Sequence, residues 1–239
     1  MTNKANIDCI NWKITKSNEL IKAGYTLSLN EQRLILFCIA QIDSRKPIRR
    51  IKDVVASEFA YVYGIDTRHA YEALEDATDR LWNREVKTRF DDGRVEKIRW
   101  VSKATYHKGT GRVTVNFSPE IIPLLTLLNQ RFTTYELRYI AMLTSSYSIR
   151  IYEFLKQYVN LKDTVTVDLL DFREMLALTA AYARFSNFKA RIIQPSIEQI
   201  NKYTDLSVTW LPIREKRSVV AIKFHIEISD QRELPLAGE

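Results

Sequence analysis

The sequence predicts an α+β chain made of two tandem domains of the same construction. The supporting pattern is that helical periodicity gives way to alternating hydrophobicity twice, in the same order each time. The chain has 239 residues, of which 46% are hydrophobic and 11% aromatic, and this is enough to bury two cores. The polar stretch from Asn129 to Arg131 is the best boundary, so we expect domains at residues 1–131 and 132–239.

The first long helix is marked by a capping box, in which Ser28 and Glu31 stand three residues apart. The helix is predicted to run from there to about Ile42. It carries apolar residues on more than one face, which indicates that it is deeply buried.

A helix-turn-helix spacing comes next. A short helix is predicted from Ser57 to Tyr63, Gly64 can adopt the positive φ of a tight turn, and a longer helix is predicted from Thr67 to Trp82. An apolar stripe on the longer helix is predicted to pack inward and consists of Ala70, Leu74, Ala77 and Leu81. The opposite face is acidic, and its carboxylates are expected to be solvated or to pair with Arg80 and Arg84 rather than to bind a metal. These carboxylates are Glu72, Glu75, Asp76 and Asp79.

Strand patterns follow the helix-turn-helix. Residues 86–90 and 95–101 flank an Asp91-Asp92-Gly93 turn, which is a strong hairpin signal. Shorter strand patterns at 104–106 and 113–117 flank a second turn, Gly109-Thr110-Gly111. A helix-turn-helix followed by a basic hairpin is the winged-helix arrangement. Ser118 and Pro119 are then predicted to open a short helix.

The same order of elements recurs in the second half. Helices are predicted at 134–143, 148–159 and 168–178, with a strand at 164–167. A loop from Thr179 to Phe185 leads to a long helix at 186–203, in which Pro195 predicts a kink or a frayed turn. Strands at 207–211 and 219–228 close the domain around a cationic tip from Arg214 to Arg217. The sequence therefore predicts two tandem winged-helix domains.

The charge distribution indicates a polyanionic partner. The formal net charge is +7 and the pI is about 9.3. From Arg84 to Arg112 there are nine Lys or Arg against four Asp or Glu, and from Arg184 to Arg217 there are seven against three. Solvated strand and helix faces would also carry such charge, so the windows favour nucleic acid without proving it.

The second domain holds the strongest candidates for DNA contact. In the helix at 186–203, Asn187, Arg191 and Gln194 are spaced four and three residues apart, so an α-helix would place them on one face. Asn and Gln can bond adenine edges, and Arg can bond guanine, in the major groove. The phosphate-contact candidates around them are Arg184, Lys189, Arg214, Lys216 and Arg217, and Ser186 is a further DNA-contact candidate. A plain polar surface helix is the alternative.

The first domain offers weaker candidates. They lie in the first turn of the second helix, namely Thr67, Arg68, His69 and Tyr71, and on the first hairpin, namely Arg89, Arg94 and Lys97. Because the rest of that helix is acidic, we expect phosphate contact rather than base recognition here.

Several classes of protein are disfavoured. The GxxxxGK[ST] phosphate loop and the His-x-His metal pair of tyrosine nickases are missing from the sequence, and its three His and two Cys are isolated. No stretch is long and apolar enough for a membrane span, and the first residues lack the pattern of a signal peptide. We therefore expect a cytosolic protein that is not an enzyme and that needs neither cofactor nor metal.

Four stretches resemble the iteron-binding initiator proteins of theta-replicating plasmids, and the resemblance spans roughly residues 15–228. They are Asn18-Glu19-Leu20-Ile21 with Leu27 to Leu34, Tyr147 to Leu155, Asp171 to Leu176, and Phe188 to Asn201 followed by Thr204-Asp205-Leu206. The last of these is the most specific. The loop from Thr179 to Tyr182 departs from the expected pattern because it has no glycine.

The resemblance implies two winged-helix domains that bind directly repeated origin DNA as a monomer, one domain per major groove. It also implies a homodimer, paired through the first domain, that represses its own gene. DnaA and the replicative helicase are the implied host partners. The main recognition helix maps onto 186–203, with Arg191 as the first residue carried over.

Two other functions use part of the same sequence evidence. A plain winged-helix transcriptional repressor needs the same DNA-binding parts, and sequence does not separate it from an initiator. A rolling-circle nicking enzyme is the alternative from another class, since twelve tyrosines are available as nucleophiles. None of those tyrosines has a recognisable base or metal beside it in the sequence.

Overall fold

A computed structural model of the chain describes Cys9 and residues 11–46, 51–89, 92–126, 131–178 and 181–229. The first elements are strand β1 (Lys13–Ser17), helix α1 (Asn18–Lys22) and helix α2 (Leu29–Ala40). The predicted capping box is confirmed: the Ser28 N–H donates to Glu31 Oε2 at 2.6 Å and the Glu31 N–H donates to Ser28 Oγ at 3.4 Å. Ten consecutive residues of α2, from Glu31 to Ala40, are buried, as expected.

The helix-turn-helix of the first half is also confirmed. It follows strand β2 (Ile51–Val55) and consists of α3 (Ala56–Tyr63) and α4 (Thr67–Leu81). Gly64 adopts the left-handed conformation with φ of 60°, as the tight turn requires. The predicted apolar stripe of α4 is buried, with each of its four residues at most 1% exposed.

Two hairpins follow α4. One is formed by β3 (Glu85–Arg89) and β4 (Val95–Arg99), which pair only with each other in the described sheets. The other is formed by β5 (Val101–His107) and β6 (Arg112–Phe117), and β6 also pairs with β2. The resulting three-stranded sheet has the order β2-β6-β5.

Two predicted helices and one predicted boundary are wrong. The short helix expected at Ser118 is a turn that leads to a single 3₁₀ turn at Ile122–Leu124. The helix expected at 134–143 is reduced to a four-residue helix α5 (Arg138–Ala141). Its first residues belong instead to strand β7 (Phe132–Glu136). Strand β7 is rich in aromatic and β-branched residues and pairs with β1, so tertiary pairing overrides the helical pattern.

The pairing of β7 with β1 also moves the division between domains. The described residues separate into two compact units, one containing Leu27–Met142 with the described residues before Gly24, the other containing Gly24–Thr26 and the described residues from 143 to 229. The boundary predicted after Arg131 therefore lies too early, because the strand that follows it belongs to the first unit.

The second unit contains helices α6 (Ser146–Lys156) and α7 (Leu169–Met175) with strand β8 (Thr164–Asp168) between them. Its third helix is continuous from residue 185 to residue 203, and we call it the recognition helix. This helix consists of α8 (Phe185–Phe188), a π turn (Lys189–Ile193) and α9 (Gln194–Tyr203). Strands β9 (Leu206–Glu215) and β10 (Ser218–Ile228) complete a sheet of order β8-β10-β9.

The two units repeat one topology, which confirms the two predicted winged-helix domains. In each, a long helix is followed by a strand, two helices and two strands, and the orders β2-β6-β5 and β8-β10-β9 correspond strand for strand. A buried arginine is repeated as well. Arg33 and Arg150 are each the fifth residue of the first helix, and their guanidinium groups lie 5.0 Å from the ring of Tyr63 and 3.5 Å from the ring of Tyr25, respectively.

This correspondence corrects the predicted wing of the first domain. The wing of a winged helix joins the last two strands of the sheet, which here are β5 and β6. The loop between them, residues 108–111, is therefore the counterpart of the tip between β9 and β10, and we call it the first wing tip. The β3–β4 hairpin, which was predicted to be the wing, is an insertion between α4 and β5, whereas only residues 204 and 205 separate α9 from β9.

We expect Glu31→Ala to destabilise the first domain by at least about 2 kcal/mol, since it removes a helix cap and one partner of a buried ion pair. Glu31 is fully buried, and Arg84 Nε lies 3.1 Å from its Oε2. Urea unfolding followed by circular dichroism measures the change. Glu72→Ala, on the exposed face of α4, is the matched control and should stay within about 0.5 kcal/mol of the parent. Equal stability of the two variants would contradict the proposed role of the buried pair.

Candidate nucleic-acid interface

Arg173 on α7 holds the loop that precedes the recognition helix. Its guanidinium group donates to the backbone carbonyls of Ala181 at 3.1 Å, Tyr182 at 2.7 Å and Ala183 at 3.4 Å, and it lies 4.5 Å from the ring of Phe188. Burial lowers the pKa of this group, which nevertheless keeps its charge because an arginine starts so high. Sequence reasoning included Arg173 in a motif but missed this positioning role.

The contacts of this loop explain how it forms without the glycine that was expected there. Tyr182 has a φ of 55°, in the left-handed region that favours glycine, and the bond from Arg173 to its carbonyl fixes that conformation. Residues 179 and 180, the first part of the predicted loop, lie outside the described residues.

All five candidates on the recognition helix are exposed: Ser186, Asn187, Lys189, Arg191 and Gln194. The face that packs inward carries Phe188, Ile192, Ile193, Ser196, Ile197 and Ile200. The predicted division of this helix into a buried and a solvent-facing side is therefore confirmed.

The kink predicted at Pro195 takes the form of a π turn. The Gln194 N–H donates to the carbonyl of Lys189, five residues back instead of four. Pro195 itself has no N–H with which to bond the carbonyl of Arg191. One extra residue turns the helix beyond it by about 100°.

That rotation corrects the predicted base-contacting face. Asn187, Arg191 and Gln194 were expected to share one face, but the extra residue separates Gln194 from the other two by about 120°, while Asn187 and Arg191 keep nearly the same direction. The Gln194 side chain donates to Glu198 Oε1 at 2.9 Å. Arg191 and Asn187 thus share one side of the exposed face, and Gln194 lies on the other.

The second wing stands beside the recognition helix. Lys216 and Arg217 form its two-residue turn, and both are exposed together with Arg214. Lys216 has a φ of 53°, so the turn uses a left-handed residue that is not glycine. The ammonium group of Lys189 lies 5.7 Å from the ring of Trp210 on β9, which connects helix and wing. Sequence reasoning missed Trp210, since a lone tryptophan in a strand pattern gives no sign of its neighbours.

The second-domain cations are not neutralised by nearby carboxylates. Within the part of the chain that the structure describes, no carboxylate oxygen lies within ion-pair distance of five exposed cationic side chains, which are Arg184, Arg191, Arg214, Lys216 and Arg217. Their charge is available to a phosphate backbone without breaking an existing pair.

The cationic candidates on α4 of the first domain, in contrast, lie close to carboxylates. Arg68 forms a two-pronged pair with Asp66, with Nε to Oδ1 at 3.1 Å and Nη2 to Oδ2 at 2.6 Å, and these bonds hold the pKa of Asp66 below its usual value. His69 Nδ1 lies 3.8 Å from Glu72 Oε2. Thr67 is exposed, whereas the hydroxyl of Tyr71 is buried and has no hydrogen-bond partner among the described residues.

The β3–β4 hairpin is largely self-neutralised. Arg94 pairs with Asp92 at 2.6 Å, and bonds from the backbone N–H and the side chain of Arg94 lower the pKa of Asp92. Lys97 Nζ lies 3.9 Å from Glu85 on the neighbouring strand. Only the backbone of Arg89 is described, in register with Val95. Residues 85–99 contain five basic and four acidic residues.

The first wing carries charge of one sign. Residues 101–117 contain Lys103, Lys108 and Arg112 and no acidic residue. Lys108 is exposed at the start of the tip, directly before Gly109 and Gly111, which have φ values of 77° and 61°. Arg112 is the least free of the three cations, with Nη1 at 3.9 Å from Asp53. The Gly-Thr-Gly turn and the lack of acidic residues were the sequence signals for this site.

The other acidic and cysteine side chains considered in the sequence are paired or buried. Asp76 pairs with Arg80 at 3.0 Å as predicted, whereas Asp79 accepts from the Tyr106 hydroxyl at 2.5 Å. Both free cysteines are buried, and burial raises the pKa of Cys38 to about 12. Across the described ranges, no three His, Cys, Asp or Glu side chains gather as metal ligands, and no helix has the length and apolar character to cross a membrane.

Comparison with known proteins identifies the family. Residues 13–156 match the family model described as Initiator Replication protein, WH1, and residues 168–226 match the one described as Initiator Rep protein, WH2. A replication initiation protein from Escherichia coli is 27% identical over 92% of this chain and 71% of its own length. The PI protein from Escherichia coli is 26% identical over 91% of this chain and 83% of its own.

A solved structure shares the fold. The crystal structure of Pi initiator protein in complex with iteron DNA is 23% identical, covers 93% of this chain and 99% of that chain, and has a TM-score of 0.79. The two family matches together cover most of the sequence, one for each winged-helix domain. The chain therefore belongs to the replication initiator (Rep) family, with a WH1 and a WH2 domain.

Proposed function

We propose that this chain initiates plasmid replication by binding directly repeated origin DNA, the iterons, through both winged-helix domains. The observation that carries the proposal is the recognition helix, whose exposed face holds Arg191 and is flanked by cations of the second wing that have no carboxylate partner among the described residues. The iteron DNA bound to the related Pi initiator supports the choice of ligand. Members of the family act by binding DNA, in agreement with the prediction that the chain is not an enzyme.

The second domain is the proposed main base-contacting domain. Arg191 is assigned to a guanine edge in the major groove, because its planar fork can donate two parallel bonds there. Asn187, on the same side of the helix as Arg191, and Gln194, further round it, are assigned to neighbouring base pairs. The phosphate contacts are assigned to Arg184, Ser186, Lys189, Arg214, Lys216 and Arg217.

The first domain is the proposed phosphate clamp and the dimerisation domain. Its phosphate contacts are assigned first to Lys108 and Lys103 of the first wing, which are exposed and have no ion-pair partner within the described ranges. The contacts predicted at Arg89, Arg94 and Lys97, and at Thr67, Arg68, His69 and Tyr71, stay predictions. For Arg68, Arg94 and Lys97, DNA must replace an existing carboxylate partner, and exposed pairs of this kind contribute only about 0 to 1 kcal/mol.

The proposal includes the partners and the regulation that the resemblance implies. The monomer binds the repeat, and a homodimer represses the chain's own gene. DnaA and the replicative helicase are the host partners, and the cytoplasm, where plasmid DNA lies, is the place of action. A repressor without initiator activity would bind the same DNA. Replication of a plasmid that carries this gene beside its direct repeats, in a host that lacks other initiators, tests the difference.

We expect one chain to bind one repeat of roughly 20 base pairs, or about two helical turns. The reason is that a single chain carries two winged-helix domains, which can occupy successive major grooves about 34 Å apart. Light scattering coupled to size-exclusion chromatography gives the mass of the complex. A complex of two chains on that fragment would refute monomeric binding.

We expect Arg191→Ala to weaken cognate binding by about 1 to 3 kcal/mol and to affect random duplex much less. Arg191→Lys should restore little, since an ammonium group keeps the charge without the two-pronged geometry. Arg214→Lys is the matched control at the wing tip, where charge matters more than shape, and should bind like the parent. Cognate and random affinities are measured by fluorescence anisotropy over a salt series. If Arg191→Lys binds the repeat as tightly as the parent, Arg191 contacts phosphate instead.

We expect Lys108→Ala and Arg94→Ala to separate the two hairpins of the first domain. Loss of the unpaired Lys108 should weaken cognate and random DNA alike and lower the log-log salt slope by about 0.9. Loss of Arg94, which is paired with Asp92, should change the slope by less. The same salt series measures both variants. A larger slope change for Arg94→Ala would show that the insertion, and not the first wing, is the clamp.

A further inference from the structure

Tyr182, in the loop before the recognition helix, combines a strained backbone with an exposed aromatic side chain. Its φ of 55° lies in the left-handed region, which costs free energy for a residue with a Cβ and very little for glycine. Among the described residues, it is the one aromatic residue with a positive φ. Strain of this kind clusters at sites where a side chain has a function. A tyrosine in a position that suits glycine therefore calls for a role of its side chain.

The loop is held through its backbone and not through the side chain of Tyr182. Arg173 donates to three consecutive backbone carbonyls, those of residues 181, 182 and 183. The recognition helix then begins at Phe185 without a side-chain capping bond from Arg184, its N-cap residue. The bonds that order the loop would therefore be the same with another side chain at position 182.

The Tyr182 side chain is accessible and lies close in sequence to a cation of the proposed interface. Residues 181–184 are all exposed, and Tyr182 is 37% exposed. Its hydroxyl has no hydrogen-bond partner among the described residues. Arg184, two residues further on, has no carboxylate partner in the same part of the chain. The loop thus offers a neutral donor and a cationic donor directly before the recognition helix.

A second phenol lies near that of Tyr182. It belongs to Tyr147, the second residue of α6, and its pKa is raised by burial first and by the neighbouring Tyr182 second. The Tyr147 phenol therefore stays neutral, and a neutral phenol is compatible with a nearby phosphate, which would repel a phenolate. The pair of rings also gives Tyr182 a purely structural alternative, in which the rings pack together and the hydroxyl has no role. A phenylalanine would fill that alternative role equally well.

We propose that Tyr182 is a DNA contact, whose hydroxyl donates to a phosphate oxygen at the edge of the groove that the recognition helix enters. This inference rests on the proposed function, because it concerns the same interface. Tyrosine hydroxyls are among the donors that proteins direct to DNA phosphates. Arg173 is the positioning residue for this contact: by fixing the backbone at Tyr182, it sets the direction in which the side chain leaves the loop. A glycine at position 182 would relax the loop and lose the contact.

Tyr182→Phe tests the proposal, since it removes the hydroxyl and keeps the ring. Affinity for the cognate repeat and for random duplex should fall alike, by about tenfold, as expected for one hydrogen bond to a charged group. The log-log salt slope should stay that of the parent, because a neutral donor releases no counterion, whereas Arg184→Ala should lower it by about 0.9. Tyr203→Phe, at the far end of the recognition helix, is the matched control and should bind like the parent. Parent-like binding by Tyr182→Phe would overturn the proposal.

Tyr182→Gly separates DNA contact from stability. It should unfold at nearly the same urea concentration as the parent, because relief of the left-handed strain offsets the greater freedom of glycine in the unfolded chain. Its DNA affinity should fall to the level of Tyr182→Phe. Weak binding by the glycine variant with parent-like binding by Tyr182→Phe would assign the role to the ring and overturn the hydroxyl contact. If the parent itself does not distinguish repeat from random DNA, the proposed function fails instead.

Discussion

The packing of each winged-helix domain depends on one phenylalanine at the fourth position of its second helix. In the second domain this residue is Phe172, whose ring lies 5.8 Å from that of Phe154 on α6, 6.2 Å from that of Phe188 on the recognition helix and 5.6 Å from that of Phe224 on β10. One ring thus joins all three helices and the sheet. In the first domain Phe59 holds the same position and contacts Phe37 on α2 at 5.9 Å. The recognition helix can present a defined face because its inner face is fixed by these contacts.

Net charge alone gives an incomplete description of how the two domains approach DNA. Both contain basic windows, but cations of α4 and of the β3–β4 hairpin pair with carboxylates of their own domain, whereas Arg191 and the cations of the second wing have no such pair in the part of the chain that the structure describes. A cation with a partner contributes less to the field that phosphate meets, and it must exchange that partner on binding. This difference supports a division of labour in which the second domain selects the sequence and the first contributes a smaller clamp.

Local patterns in the sequence predicted much of the fold. The capping box at Ser28, the turn at Gly64 and the alternation along β10 each depend on residues within a few positions, and each is confirmed. Features that depend on distant residues were missed. Strand β7 forms because it pairs with β1, which lies more than a hundred residues earlier in the sequence. The hydrogen bond between the hydroxyls of Thr15 and Thr134 belongs to this pairing. The π turn was missed because a helical wheel assumes equal spacing, and the correct wing could be assigned only once strand order was known.

The three residues Gly24–Thr26 belong to the second unit, although they are followed in sequence by the first. Tyr25 is 4% exposed, and its ring lies under the guanidinium group of Arg150, which also donates to the carbonyl of Met175 at 2.6 Å. The core of the second domain is therefore completed by a segment that lies between α1 and α2 of the first unit in the sequence. A fragment cut at the apparent junction and beginning at Leu143 would lack that ring and leave a buried arginine without its stacking partner. Domain dissection of this chain calls for the peptide around Tyr25 to be supplied as well, for example by circular permutation.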